Sequence, residues 1–275
     1  MTYQEPLSQK AIAISISESP DMAALGLGPE HLRDAMAEIA RHLLAMGARL
    51  VYGGDLRANG FTELLFELVA RYRRDADVGD ARSAIVNYLA WPIVVSKPAA
   101  EMRGLVDELA GLAELHFLDR QGGYLAPAAL DGAVHPAVSD ADWAVALSAM
   151  REVLTRASDA KIVMGGRTEG YKGRMPGIAE EALTALEAGQ PLFLLGGFGG
   201  CAREIAVALK LFPQPASPPS WTGWNVFGRF DGAALRNGLT PEENATLVRT
   251  VHVDEAVALI LRGLLRQAKP AAGVA

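Results

Sequence analysis

The sequence predicts a Rossmann-like α/β fold, a mostly parallel sheet with helices on both faces. Two observations carry that expectation. Short runs rich in β-branched residues alternate with longer segments of helical periodicity through most of the chain, the pattern of a parallel sheet covered on both sides. Three of the short runs also end in paired glycines, Gly53-Gly54, Gly165-Gly166 and Gly196-Gly197, where a strand gives way to a loop.

The first strand is the apolar run from Ala11 to Ile16, closed by Glu18-Ser19-Pro20. A helix follows between Gly28-Pro29-Glu30 and Gly47, with Leu32, Met36, Ile39, Leu43 and Met46 at helical spacing. Arg49 to Tyr52 is the second strand. Leu64, Leu65, Leu68 and Val69 mark a helix, Ala84 to Leu89 a strand, Pro98 to Leu109 a helix and Leu115 to Leu118 a strand. Gln121 to Pro136 has no clear period and reads as a loop. Asp140 to Leu154 is helical, Lys161 to Met164 a strand, Pro176 to Leu186 a helix ended by Gly189, Leu192 to Leu195 a strand and Cys201 to Leu209 a helix. A proline-rich loop, Pro213 to Pro219, breaks the alternation. Thr240-Pro241-Glu242-Glu243 then has capping-box form, and a last helix starts at Asp254. We read residues 1–275 as one enlarged domain with a loop-rich insertion at 211–239.

Composition narrows the function classes. A formal charge of −6 argues against a protein built to neutralise a nucleic-acid backbone, so any anion site must be local. Cys201 is the sole cysteine, which excludes an intramolecular disulfide and a Cys-rich zinc site and fits a reducing cytoplasm. The apolar stretch near the N-terminus is too short for a signal peptide or a membrane span. The five histidines, His31, His42, His116, His135 and His252, lack metal-ligand spacing, so no metal is expected. The sequence calls for no cofactor.

Chemistry is expected on the glycine-rich loops, which should share the rim at the carboxyl ends of the strands, where helix N-termini present free N–H groups. Each pair either admits a ligand close to the backbone or merely makes a tight turn. The densest segment runs from Met164 to Gly177 and gathers Arg167, Lys172 and Arg174 among five glycines just before a helix, an arrangement suited to an anion. The alternative is a solvated loop. It is not a Walker loop, because Tyr171 stands in place of the lysine and Gly173 follows Lys172. Gly197-x-Gly199-x-x-Ala202 formally matches a dinucleotide fingerprint. It follows the last strand, however, and lacks the acidic residue about twenty positions on.

The succession Tyr52-Gly53-Gly54-Asp55-Leu56-Arg57-Ala58-Asn59-Gly60, then Gly165 to Gly177, then Gly196-Gly197-Phe198-Gly199-Gly200, resembles the SLOG superfamily over roughly residues 10 to 265. That group joins the DNA-processing proteins with the LOG enzymes, and includes ligand-sensing domains of TRPM channels and of Thoeris-type antiviral effectors. LOG enzymes carry Pro-Gly-Gly-x-Gly-Thr-x-x-Glu and cleave a base from a nucleoside monophosphate. Here Leu195 replaces the proline, Gly200 the threonine and Arg203 the glutamate, with Glu204 one position late. One residue on a helix is a turn of about 100°, which predicts that Arg203 faces the pocket and Glu204 points away. Glu180 and Glu181 are the other carboxylate candidates, though both read as a solvated helix face.

The sensing branch binds NAD-derived nucleotides such as ADP-ribose or its cyclic forms. Its resemblance implies a pocket formed by the loop after the first strand, the Gly53 loop and the two later glycine loops. The ligand-facing set is then Ser15, Ser17, Glu18, Gly53, Gly54, Arg57, Gly165, Gly166, Arg167, Lys172, Arg174, Met175, Gly196, Gly197, Phe198, Gly199 and Gly200, with Ser19 beside them. Serines and Glu18 suit ribose hydroxyls, and the cations suit phosphate. The leading expectation is a non-catalytic sensor in a bacterial conflict or antiviral system, whose protein partner is another copy of itself or an effector. The alternatives are a nucleotide N-glycosidase using Glu204 or Glu180, and a structural module. Trp221, Trp224, Phe227 and Phe230 form either a lid over a base or an aromatic packing cluster. Cys201 is read as a small packing residue.

Overall fold

The computed structural model describes residues 5–56, 60–75, 83–126, 137–213, 219 and 221–268. The candidate Arg57 lies outside the described residues, as do His135, part of the 121–136 loop and most of the proline-rich loop. The chain runs β1 (Ala11–Ser17), α1 (Pro29–Ala45), β2 (Arg49–Gly53), α2 (Phe61–Asp75), β3 (Ile85–Leu89), α3 (Trp91–Val95), α4 (Ala99–Glu108), β4 (Ala113–Leu118), β5 (Tyr124–Leu125) and α5 (Asp140–Arg156). It continues with β6 (Ala160–Gly165), α6 (Gly177–Glu187), β7 (Leu192–Leu195), α7 (Gly200–Ala208), α8 (Pro241–Leu247) and α9 (Val253–Ala268).

The described strands form one sheet in the order β5-β4-β3-β2-β1-β6-β7. Neighbours are parallel except β4 and β5. Strand periodicity decides which layer each side chain meets. Ile12, Ile14 and Ile16 of β1 pack in a cluster with Leu32, Met36 and Ile39 of α1 and Ile260 and Leu264 of α9. Ala13 faces the other way, toward Met150, Val153 and Leu154 of α5. On β6 and β7, Val163, Leu192 and Leu194 meet α6 and α7. Helices therefore cover both faces, as the alternation predicts.

Two elements are absent from the sequence reading. The run Trp91-Pro92-Ile93-Val94-Val95 ends in three β-branched residues yet forms the short helix α3, with Pro92 in its first turn, where no N–H is missed. β5 is a two-residue antiparallel edge strand within the stretch read as a loop, pairing Phe117 with Leu125 and Leu118 with Tyr124. Two residues are too few to show a period. The capping box of α8 forms as expected: Glu243 N–H donates to Thr240 Oγ1 at 3.2 Å, and Thr240 N–H donates to Glu243 Oε2 at 2.9 Å.

Candidate functional site

β1 and β6 are neighbours in the middle of the sheet, yet the chain leaves them toward opposite faces, into α1 and α6. Such a switch point parts the two connecting loops and opens a crevice at the carboxyl ends of the strands. Here Glu18, Ser19 and Pro20 from the β1 loop and Arg167, Thr168 and Glu169 from the β6 loop line a crevice of about 240 Å³. Its charge is mixed, one guanidinium against two carboxylates. A larger, more open hollow of about 380 Å³ lies on the α8–α9 turn, walled by Thr246, Arg249, His252 and Glu255 among others, and no glycine-loop residue lines it. We place the candidate site at the switch point, where two sequence-predicted side chains converge.

One residue, Gly166, ties this rim together. Gly166 N–H donates to the Ser17 carbonyl at 2.8 Å, and the Gly166 carbonyl accepts from Cys201 N–H at 3.0 Å. Gly165 and Gly166 have φ of 66° and 114°, the left-handed region that glycine alone enters freely. A Cβ on Gly200 would stand 2.3 Å from the Gly166 carbonyl and 2.6 Å from Ser19 Oγ. The glycines of this rim thus let its loops close on one another. Ser19, 8 % exposed, is enclosed between Gly165 and Gly200, and its hydroxyl has no hydrogen-bond partner.

The N-terminus of α7 lies against the same loop. Gly200 N–H donates to Asp21 Oδ1 at 2.8 Å, and the α-carbon of Gly199 faces that carboxylate. Glu204, one turn further along α7, accepts from Trp221 Nε1. Burial raises the Glu204 carboxyl above its ordinary value; the Trp221 hydrogen bond opposes this, and Asp21 adds to it. Arg203 donates instead to the carbonyls of Gly196 at 3.1 Å and Gly197 at 3.3 Å, with its guanidinium 4.9 Å over the Phe212 ring. This corrects the helical-wheel expectation: Arg203 is turned back onto the strand-end turn, and Glu204 is the member of the pair within electrostatic reach of Asp21.

The remaining sequence candidates divide by position. Glu18 and Arg167 line the crevice, and Ser17 ends β1 in register with Gly165; Gly165, Gly199 and Gly200 pack around Ser19 and Asp21, and Gly166 packs against Cys201 and Ile178. Gly53 ends β2 on the same rim but sits against Leu154 and Met150 of α5, while Gly54 sits against Tyr52 and Thr62. Gly196 and Gly197 turn toward the Val248 and Thr250 carbonyls, and Phe198 is buried in the core. Lys172 places its Nζ 4.1 Å over the Trp143 ring, and Arg174 is exposed. Met175 packs in the cluster of Trp221 and Phe227, whose rings meet edge to face at 6.0 Å. Those two aromatics are buried, which gives the packing reading of the insertion. Cys201 is buried too, and burial pushes its thiol pKa up, so it packs rather than reacts.

Ser15 is not on the rim. It donates to Glu181 inside a buried polar network beneath the β6 loop. Lys161 Nζ lies 3.5 Å from Glu181, and Arg151 pairs with Glu180 and, at 3.9 Å, with Glu181. Glu180 and Glu181 are therefore ion-paired inside the protein, which corrects their reading as a solvated face. Arg151, Lys161 and Asp21 escape the sequence reading. A cation in an amphipathic helix or at the start of a strand, and an aspartate in a loop, carry no local mark of what they will meet.

Among the described residues no cluster of His, Cys, Asp and Glu is arranged to hold a metal, and no helix is long and apolar enough to cross a membrane. No curated protein matches the chain. The SLOG cluster2 family model matches residues 6–217, which takes in β1 through α7 and both loops of the crevice. By its sequence over that span and by its mostly parallel, doubly covered sheet, the chain belongs to the SLOG cluster2 family.

Proposed function

We propose that this protein binds a phosphorylated nucleotide-derived ligand of the ADP-ribose or cyclic ADP-ribose kind and acts as its sensor. SLOG membership suggests a nucleotide-related function. The observation that carries the finer reading is the switch-point crevice, where Arg167 can pair with phosphate while Glu18 and Glu169 can accept from the paired hydroxyls of a ribose. A sensor is favoured over a hydrolase because Arg203 holds the LOG glutamate's place and is spent on backbone carbonyls. A second copy of the chain, or an effector protein in the cytoplasm, would receive the signal. Titration calorimetry with ADP-ribose, cyclic ADP-ribose, NAD and AMP tests this. Binding of one of them, weakened about tenfold or more by Arg167→Ala as expected for a lost charge-assisted pair, supports the reading. No heat with any of them overturns it.

One observation favours a catalytic alternative. Glu204 is half-buried on α7, accepts from Trp221 Nε1, and is raised by burial, the direction in which a general acid is tuned. Chromatographic detection of free base released from a nucleotide, abolished by Glu204→Gln, would establish that chemistry. Nucleotides left intact would exclude it.

A further inference from the structure

We infer that Asp21 is a built-in occupant of a phosphate site at the N-terminus of α7, and that a ligand phosphate binds there by displacing it. The inference rests on the proposed function only for the organic part of the ligand; the phosphate site stands on its own geometry. A helix N-terminus concentrates unpaired N–H groups and partial positive charge, and any nearby anion is drawn to it. In α7, which spans Gly200–Ala208, no residue of the helix's own cap supplies that anion, because Gly199 has no side chain. Asp21 supplies it from 179 positions away in sequence, through the 2.8 Å bond from Gly200 N–H.

Ser19 is the independent sign that a different acceptor belongs here. Its hydroxyl is buried, has no partner, and lies 2.6 Å from the point where a Gly200 Cβ would stand. An orphaned buried hydroxyl is costly, and a side-chain donor aimed at a helix N-terminus is satisfied by a phosphate oxygen sharing that place. The Asp21 carboxylate accepts from Gly200 but makes no bond with Ser19. Ser19 also lines the crevice, so a ligand held by Arg167 would reach the α7 N-terminus past it. Asp21 adds to the upward shift that burial chiefly gives the Glu204 carboxyl, one turn along α7.

Displacement gives the site a mechanical output. Asp21 begins a short stretch that turns through Ala23–Leu25 into α1, anchored in the core by buried Met22. When phosphate takes the Gly200 N–H, the hydrogen bond pinning this stretch to the start of α7 is lost.

The test uses inorganic pyrophosphate as probe. Asp21→Asn keeps an oxygen that can accept from Gly200 N–H, so the fold is retained, but it removes the competing charge. Calorimetry should show pyrophosphate binding Asp21→Asn about tenfold more tightly than wild type, in keeping with the worth of a partly buried charge at a helix terminus. Ser19→Ala in the Asp21→Asn background should abolish most of that gain. In the unmutated protein, hydrogen exchange of amides 21–27 should speed up when pyrophosphate is added, which reads the displacement even if a variant fails to fold. Equal or weaker binding by Asp21→Asn overturns the inference, as does a lack of pyrophosphate binding to both proteins. If ADP-ribose fails to bind while pyrophosphate still prefers Asp21→Asn, the nucleotide reading falls and this site stands. If ADP-ribose binds both proteins equally, the reverse holds.

Discussion

Replacing Glu181 with leucine strands a cation with no route to water. Lys161 is fully buried, with its Nζ 3.5 Å from Glu181 and 3.3 Å from Thr155, and the Ser15 hydroxyl donates to the same carboxylate. Burial already drives the Lys161 pKa down, with Glu181 holding it up. Removing one partner of a buried pair costs about 3–5 kcal/mol, because the other charge stays desolvated. For a chain of this size each kcal/mol shifts Tm by about 2–4 °C, so Glu181→Leu should lower Tm by about 6–20 °C. Urea unfolding followed by circular dichroism measures the loss directly, with an unchanged m-value confirming that the native state is intact. The double variant Lys161→Met with Glu181→Leu removes both charges and leaves the Arg151–Glu180 pair in place. It should recover most of the loss and lie within about 1.5 kcal/mol of wild type, since apolar residues of similar volume replace buried pairs at little cost. A single-variant loss below about 1 kcal/mol, or a double variant no better than the single, would refute the claim that this network is a compensated buried charge set.

Three further outcomes follow from the rim and the C-terminal helices. Gly200→Ala forces a Cβ within 2.3 Å of the Gly166 carbonyl at φ 58°, so it should destabilise by about 2–4 kcal/mol in urea unfolding. Trp221→Phe removes the hydrogen bond that lowers the Glu204 pKa, so carbon-detected NMR titration should show that carboxyl moving further up. A downward shift would mean that Trp221 acts chiefly by excluding water. Glu243 is held down to about 2 by Arg266, Thr240 and Arg262. A depressed carboxylate pKa stabilises the fold above the unfolded value and loses that contribution as pH falls toward the folded one. Glu243→Gln should therefore flatten the decline in stability between about pH 4.5 and pH 2, as followed by thermal melts across that range.

The layered fold is legible because each of its signals is local. The run Ala11-Ile12-Ala13-Ile14-Ser15-Ile16 reads as a strand from a few neighbouring side chains, and Thr240-Pro241-Glu242-Glu243 announces a helix start for the same reason. α3 and β5 were hidden because five and two residues are too short for a period to emerge. The site was legible by half. Paired glycines after Met164 mark a strand end on the rim, and Glu18 and Arg167 meet across the crevice that the strand order opens. Ser15 illustrates the limit: its residue type suits a ribose, but strand alternation turns it down onto the α5–α6 layer and into the bond with Glu181.

What the sequence determined by itself was the α/β alternation, the family and the strand-end rim that carries the glycine loops, all of which depend on contacts within a few residues. Only the tertiary structure decided who holds the α7 N-terminus, where Arg203 and Glu204 turn, and that Glu180, Glu181, Arg151 and Lys161 neutralise one another inside the protein. Those outcomes are set by the charges and burial that distant segments bring to each side chain. A carboxylate on a helix carries no trace in its own neighbourhood of the lysine that a strand will place beside it.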